Sequence, residues 1–246
     1  MQIENSTPKG AATEAGMLRV FCTNSMQGSL RKLIPQFERA SGCTVSVNFE
    51  STLKSQARIA KGESADVYIF NPDLMNDLAK QNKLVTGSRR DLARCGVGVA
   101  VRAGAPKPDI ASVEAFRRTL LDAKTIGYAT AGSSGIHFSS VVERLGLTSQ
   151  VQAKARTRPD GLLGGLAVSG EAELVIQQVP ELLAVPGVDV VGPLPSELQK
   201  YSLKAISAVA GTRHPEKAQA LIEFLTSGAA SPVFKDCGYE TVSGRA

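Results

Sequence analysis

Apolar residues alternate at Leu18, Val20 and Cys22, then recur at helical spacing at Leu30, Leu33, Ile34 and Phe37. The first pattern predicts a strand and the second an amphipathic helix. Thr23, Asn24 and Ser25 fill the turn between them, residue types that cap helix starts. The same order repeats. Residues 44–49 alternate as a strand, Glu50-Ser51-Thr52 follow, and a helix runs through Ile59 to a stop at Gly62. Residues 66–70 form a buried strand that leads into Asn71-Pro72-Asp73 and a helix to about Asn82.

A second series begins with an apolar strand at 96–101 and a Gly/Pro-rich stretch at 104–108. Ser112 caps a helix through Leu121, residues 125–128 read as a strand, and the small-residue loop 129–135 opens a helix at 136–145. A weak strand at 152–155 leads to Pro159-Asp160-Gly161 and a helix bearing Leu162, Leu163, Leu166 and Val168. Strands at 173–178, 188–191 and 203–210 follow, then closing helices at 215–225 and 231–237. Strands alternating with helices predict an α/β fold with parallel sheets flanked by helices. One arrangement has two lobes, residues 17–95 plus 207–246 and residues 96–206, with the chain crossing between them twice. A single doubly wound sheet fits the periodicity equally well.

A strand running into a polar turn and a helix aims free backbone N–H groups, and the positive end of the helix dipole, beyond the strand end. Here that geometry recurs at Ser25, at Ser51-Thr52 and at Ser133-Ser134. A small anion is the natural occupant of such a place; ordinary helix capping is the plainer explanation of the same residues.

Composition narrows this. Hydrophobic residues make up 43% and charged residues 21% of the 246, as in globular chains. The 28 Lys and Arg, which leave a net charge of +5, are scattered, and there is no Trp to interleave with them. Nucleic-acid binding is therefore not expected. No apolar run approaches the ~18 residues of a membrane span. Cys22, Cys43, Cys95 and Cys237 form no Cys-x-x-Cys pair, and His137 and His214 lie apart from them, so no metal site is expected. Cys22 and Cys43 would sit at opposite ends of parallel neighbours and cannot bridge, which predicts free thiols. Gly164-Gly165 lacks the Lys and Ser/Thr of a phosphate loop, and no cofactor is called for. Residues 1–16 have no apolar core of a secretory signal and read as a disordered extension or remnant. The chain as it stands is expected in the cytoplasm, or in the periplasm if it is a trimmed, mature form.

Residues 18–21 (Leu-Arg-Val-Phe), the Ser25 turn, Phe49-Glu50-Ser51-Thr52 and residues 61–70 resemble the molybdate-binding type of periplasmic solute-binding protein. The tail at 220–227 and residues 233–239 are similar too, so the resemblance runs over about residues 17–240. It implies a type II periplasmic-binding-protein fold: two lobes of mainly parallel sheet, a two-strand hinge, and a small anion, oxyanion or organic carboxylate, in the cleft between them. It also implies lobe closure on the ligand, a monomer, and an ABC transporter permease as partner if the chain is exported.

By position, the family's first hydroxyl falls on Ser25, beside Asn24, and its second on Thr52, beside Ser51. Its first amide contact falls on Ser134, next to Ser133, its second near Leu162, and its tyrosine position on Gln178. The departures are the Gln at 178, Glu50 and Lys54 beside the second hydroxyl, and His137 after the third loop. A carboxylate in a dry cleft opposes a dianion, so Glu50 facing the cleft would disfavour molybdate. Residues 177–195 look like a leaderless branch of the family. The wider superfamily includes a bacterial aconitate isomerase. The alternative expectation is thus a cofactor-free isomerase of a small unsaturated carboxylic acid, with Glu50 as general base and His137 as proton shuttle.

Overall fold

The repeated strand–helix pattern builds two separate sheets in the computed structural model, which describes residues 16–242. In the first lobe β1 (Leu18–Thr23) lies between β2 (Val45–Glu50) and β3 (Val67–Phe70), all parallel. α1 (Gln27–Ser41), α2 (Thr52–Ala60) and α3 (Pro72–Lys80) follow these three strands in turn. The alternation in β1 sends Leu18, Val20 and Cys22 into one core, with Leu30, Leu33 and Phe37 of α1. Phe21 goes to the other face, with Tyr68, Phe70 and Met75. Each such side chain contributes roughly 1.5–3 kcal/mol by leaving water.

The chain leaves this lobe along β4 (Arg90–Cys95) and enters the second along β5 (Val97–Arg102), with Gly96 between them. There β6 (Ile126–Ala129) lies parallel to β7 (Ala155–Arg158) and β8 (Leu174–Gln178), while β5 runs antiparallel between β8 and β9 (Val188–Pro193). The helices of this lobe are α4 (Val113–Asp122), α5 (Ser133–Arg144), α6 (Thr148–Gln152), α7 (Gly164–Val168) and α8 (Val179–Leu183). Val99, Phe116, Ile126, Phe138 and Ile176 form its main core. The chain returns along β10 (Ser202–Ala208), which pairs antiparallel with β3 and β4. α9 (Pro215–Thr226), α10 (Ser231–Asp236) and β11 (Glu240–Thr241) then complete the first lobe.

Several expectations change. Both sheets are mixed rather than mainly parallel, because the strands that pass between lobes run against the strand–helix units. β10 belongs wholly to the first sheet, so a lobe division at 206/207 falls inside a strand; the lobes part near Gln199–Tyr201 instead. β4 was not legible because polar residues fill much of it, and the weak strand expected at 152–155 lies at Ala155–Arg158, an edge strand, because α6 runs to Gln152. The register Leu18↔Val45 and Cys22↔Phe49 keeps Cys22 and Cys43 at opposite ends of the sheet, and all four cysteines are free. The expected extension at 1–16 lies outside the described residues, apart from Gly16. Among the described residues no helix is long and apolar enough to cross a membrane.

Candidate functional site

Parallel strands deliver all their C-terminal ends to one side of a sheet, where crevices form. In the first lobe those ends carry Thr23 and Asn24 after β1, and Ser51 and Thr52 after β2. In the second they carry Ala129 to Ser134 after β6, Asp160 and Gly161 after β7, and Gln177 and Gln178 at the end of β8. Residues from both sets, with Glu181 of α8, line one cavity of ≈ 30 Å³. An adjoining chamber of ≈ 250 Å³ is lined by Asn71, Asp73, His137, Lys200, Tyr201 and their neighbours. Ser133, Ser134 and Gln178 form the wall common to both.

Three helix starts converge here: the 3-10 turn Asn24–Met26, α2 and α5. Their N-cap residues Thr23, Ser51 and Gly132 are extended, and none has a side-chain cap among the described residues. Side-chain caps are present at α3 and α4. Asn71 Oδ1 accepts from Leu74 N at 3.2 Å, and Ser112 Oγ accepts from Ala115 N at 3.1 Å. The hydroxyls at the cleft are thus not spent on their own helices. The first N–H groups of each helix lack an intrahelical partner and carry the positive end of its dipole, which suits negatively charged oxygens. The close seating of α5 depends on Gly135, where a Cβ would stand 1.6 Å from the carbonyl oxygen of Ala129.

Asn24, Ser51, Thr52, Ser133, Ser134 and Gln178 all come together in this cavity. Leu162 adjoins it, one residue beyond Gly161, and the next amide, Leu163 N, donates to Gln177 Oε1 at 2.9 Å. Ser25 stands behind the lining. Its hydroxyl and that of Tyr239 are buried neighbours, and neither has a hydrogen-bond partner among the described residues. Gln178 Nε2 donates to Ser133 Oγ at 2.8 Å. His137 lines the outer chamber, its Nε2 2.7 Å from the Leu198 carbonyl oxygen.

Glu50 is placed differently from the expectation that it faces the cleft. It is buried under α2, where Ser55 Oγ donates to its Oε1 at 2.9 Å and the Arg58 guanidinium lies 3.4 Å from Oε2. At the end of a strand whose next residue opens a helix, its side chain turns back along that helix. The carboxyls that do line the inner cavity are Asp160 and Glu181. Glu181 is 8% exposed and lies within electrostatic reach of Lys204 of β10, which is 2% exposed. Burial pushes the Glu181 carboxyl up to about 7, against the downward pull of Lys204 and the Gln178 backbone. Sequence reading missed this pair. The available signal was Lys204 itself, a lone lysine inside an apolar strand, since lysine is almost never fully buried without a partner. Among the described residues no cluster of His, Cys, Asp and Glu is arranged to hold a metal ion.

The family profile described as bacterial extracellular solute-binding protein matches residues 18–240. A curated relative, the aconitate isomerase of a Pseudomonas species, is 35% identical over 243 residues, 96% of this chain and 92% of that protein. The fold matches the periplasmic molybdate-binding protein of Azotobacter vinelandii with a TM-score of 0.78 at 19% identity, covering 92% of this chain and 100% of that one. It also matches the sulfate-binding protein SubI from Mycobacterium tuberculosis H37Rv, with a TM-score of 0.69 at 16% identity over 92% and 87% of the two chains.

Proposed function

This chain belongs to the bacterial extracellular solute-binding protein family, and within it we propose an isomerase of a small unsaturated carboxylic acid of the aconitate type. The observation that carries this reading is the 35% identity to an aconitate isomerase along 96% of the chain. The site is consistent with it. Moving a double bond along an unsaturated acid takes a proton from one carbon and returns it to another. Negative charge spreads meanwhile onto the carboxylate oxygens. Uncapped helix starts already aimed at those oxygens stabilise that charge without reorganising. The reaction needs no cofactor.

The shape of the cleft favours an extended ligand over a compact oxyanion. The inner cavity of ≈ 30 Å³ admits one small charged group, and the ≈ 250 Å³ chamber beside it offers Lys200 and His137 to a second. Leu53 and Ile136, each more than half exposed, stand next in sequence to the cleft segments 51–52 and 129–135.

The test is incubation with cis- and trans-aconitate in D2O, followed by proton NMR. Interconversion with deuterium entering the carbon skeleton is the expected result. Binding of these acids, or of molybdate, with no interconversion would reject the isomerase reading. It would favour a second one: capture of a small anion for an ABC transporter, supported by the fold match to a molybdate-binding protein.

A further inference from the structure

The isomerase reading leaves open which side chain handles the proton. Glu50 is held by Ser55 and Arg58, and His137 sits in the outer chamber against the Leu198 carbonyl. The inner cavity, where the helix starts meet, contains two carboxyls, and that of Asp160, in the turn after β7, is half-buried. Glu181 is the buried one.

Its position is built by packing between lobes. α8 belongs to the second lobe but is seated on the first through two glycines. A Cβ on Gly28 of α1 would meet Ala184 Cβ at 3.4 Å, and one on Gly238 would meet Leu183 and Val179 at 2.8 Å. Val179 N also donates to Gly96 O in the crossover at 3.1 Å. These contacts carry Glu181 to the floor of the cleft. There the groups within electrostatic reach of it are Lys204 from β10, Cys95 from β4 and Tyr239 ahead of β11. The Lys204 ammonium donates to Ser202 Oγ at 2.8 Å, which holds it at this level of the strand.

We propose that Glu181 is the catalytic residue that moves the proton, with Lys204 as the positioning residue that supplies its counter-charge; this rests on the isomerase reading. The Glu181 carboxylate takes a proton from the methylene carbon next to a substrate carboxylate. The electrons of that C–H bond form the new C=C bond, and those of the old C=C bond pass to its far carbon. That carbon takes the proton back from the Glu181 carboxyl, forming a C–H bond. Nothing is oxidised or reduced, and Glu181 returns to its starting form. Burial, which holds this carboxyl near neutrality, suits a group that must both accept and return a proton.

The experiment is steady-state isomerisation and deuterium exchange with trans-aconitate, comparing wild type with Glu181→Gln, Glu50→Gln and Lys204→Met. Glu181→Gln is expected to lower kcat by about 10²–10⁴-fold with KM little changed, and Glu181→Asp to restore part of it. The wild-type rate should rise with pH through about 7, and Lys204→Met should move that rise to higher pH. Exchange that persists undiminished in a folded Glu181→Gln, or a loss confined to Glu50→Gln, would overturn the assignment while leaving the isomerase reading intact. A wild-type pH profile unmoved by Lys204→Met would overturn the role of Lys204. Absence of any exchange in wild type would overturn the isomerase reading, and the assignment with it.

Discussion

The Cys95 thiol, at the end of the strand that leaves the first lobe, donates to Gln178 Oε1 of the second lobe at 3.3 Å. The same amide donates through Nε2 to Ser133 Oγ in the wall of the cleft. One side chain therefore ties the crossover between lobes to the start of α5. Burial pushes the Cys95 thiol up to about 12, so it remains a neutral donor at physiological pH.

Replacing Gln178 with Ala leaves the buried Cys95 thiol without its acceptor and the Ser133 hydroxyl, at the exposed start of α5, without its donor. Stability should fall by about 1–3 kcal/mol, read from urea unfolding. Ligand affinity should fall as well, because Ser133 loses the contact that orients it. A variant with unchanged affinity would show that this amide does not organise the cleft.

A bound acid should stabilise the wild-type chain. At 100 times its dissociation constant a ligand adds roughly 2.7 kcal/mol, which raises the unfolding midpoint of a chain of this size by about 5–10 °C. Thr52→Ala combined with Ser133→Ala should remove most of that shift without lowering the ligand-free midpoint by a similar amount. Thermal scans against trans-aconitate, citrate and molybdate make the measurement.

Glu181 gives stability a pH dependence of known sign. Its carboxyl titrates near 7 in the folded chain against an ordinary value of 4.5, so folding favours the protonated form. This contribution is complete below about 4.5 and is lost as pH rises through about 7, on the order of 3 kcal/mol. Glu181→Gln, neutral throughout, should flatten that part of the profile. Urea unfolding from pH 4.5 to 8 would show it, and an unchanged slope would contradict it.

Gly135→Ala should be among the most damaging small substitutions in the chain. Its Cβ would stand 1.6 Å from a backbone carbonyl oxygen that cannot rotate aside. The cost should be about 3 kcal/mol or more, seen as a lower unfolding midpoint together with lost ligand binding, because α5 must move off β6.

Tyr239→Phe makes the opposite prediction. The Tyr239 hydroxyl is buried without a partner among the described residues, so its removal relieves a desolvated polar group. The ligand-free chain should be as stable or up to ~1 kcal/mol more stable, measured by the same urea titration. A clear loss of stability would show that a bound water or ligand normally satisfies that hydroxyl.

Much of this protein was decided locally. Alternation at Leu18, Val20 and Cys22, helical spacing from Leu30 to Phe37, and the small polar residues between strand and helix follow from backbone geometry and from short-range burial. They specified the α/β class, most elements, and the polar residues at strand ends that line the cleft. What only the tertiary structure decided depends on contacts between segments far apart in the chain. Glu50 looked like a carboxyl at the mouth of a site, but whether it faces the cleft is set by Ser55 and Arg58 one helical turn and more away. Glu181 and Lys204 lie in unrelated segments and come within electrostatic reach only because α8 of one lobe is seated on the other. A strand's period is the same whichever sheet it joins, so the place of β10 also waited for its partners. Local chemistry tells which residues stand at the end of an element, and packing over long sequence separation tells which of them share one dry cavity and what charge they hold there.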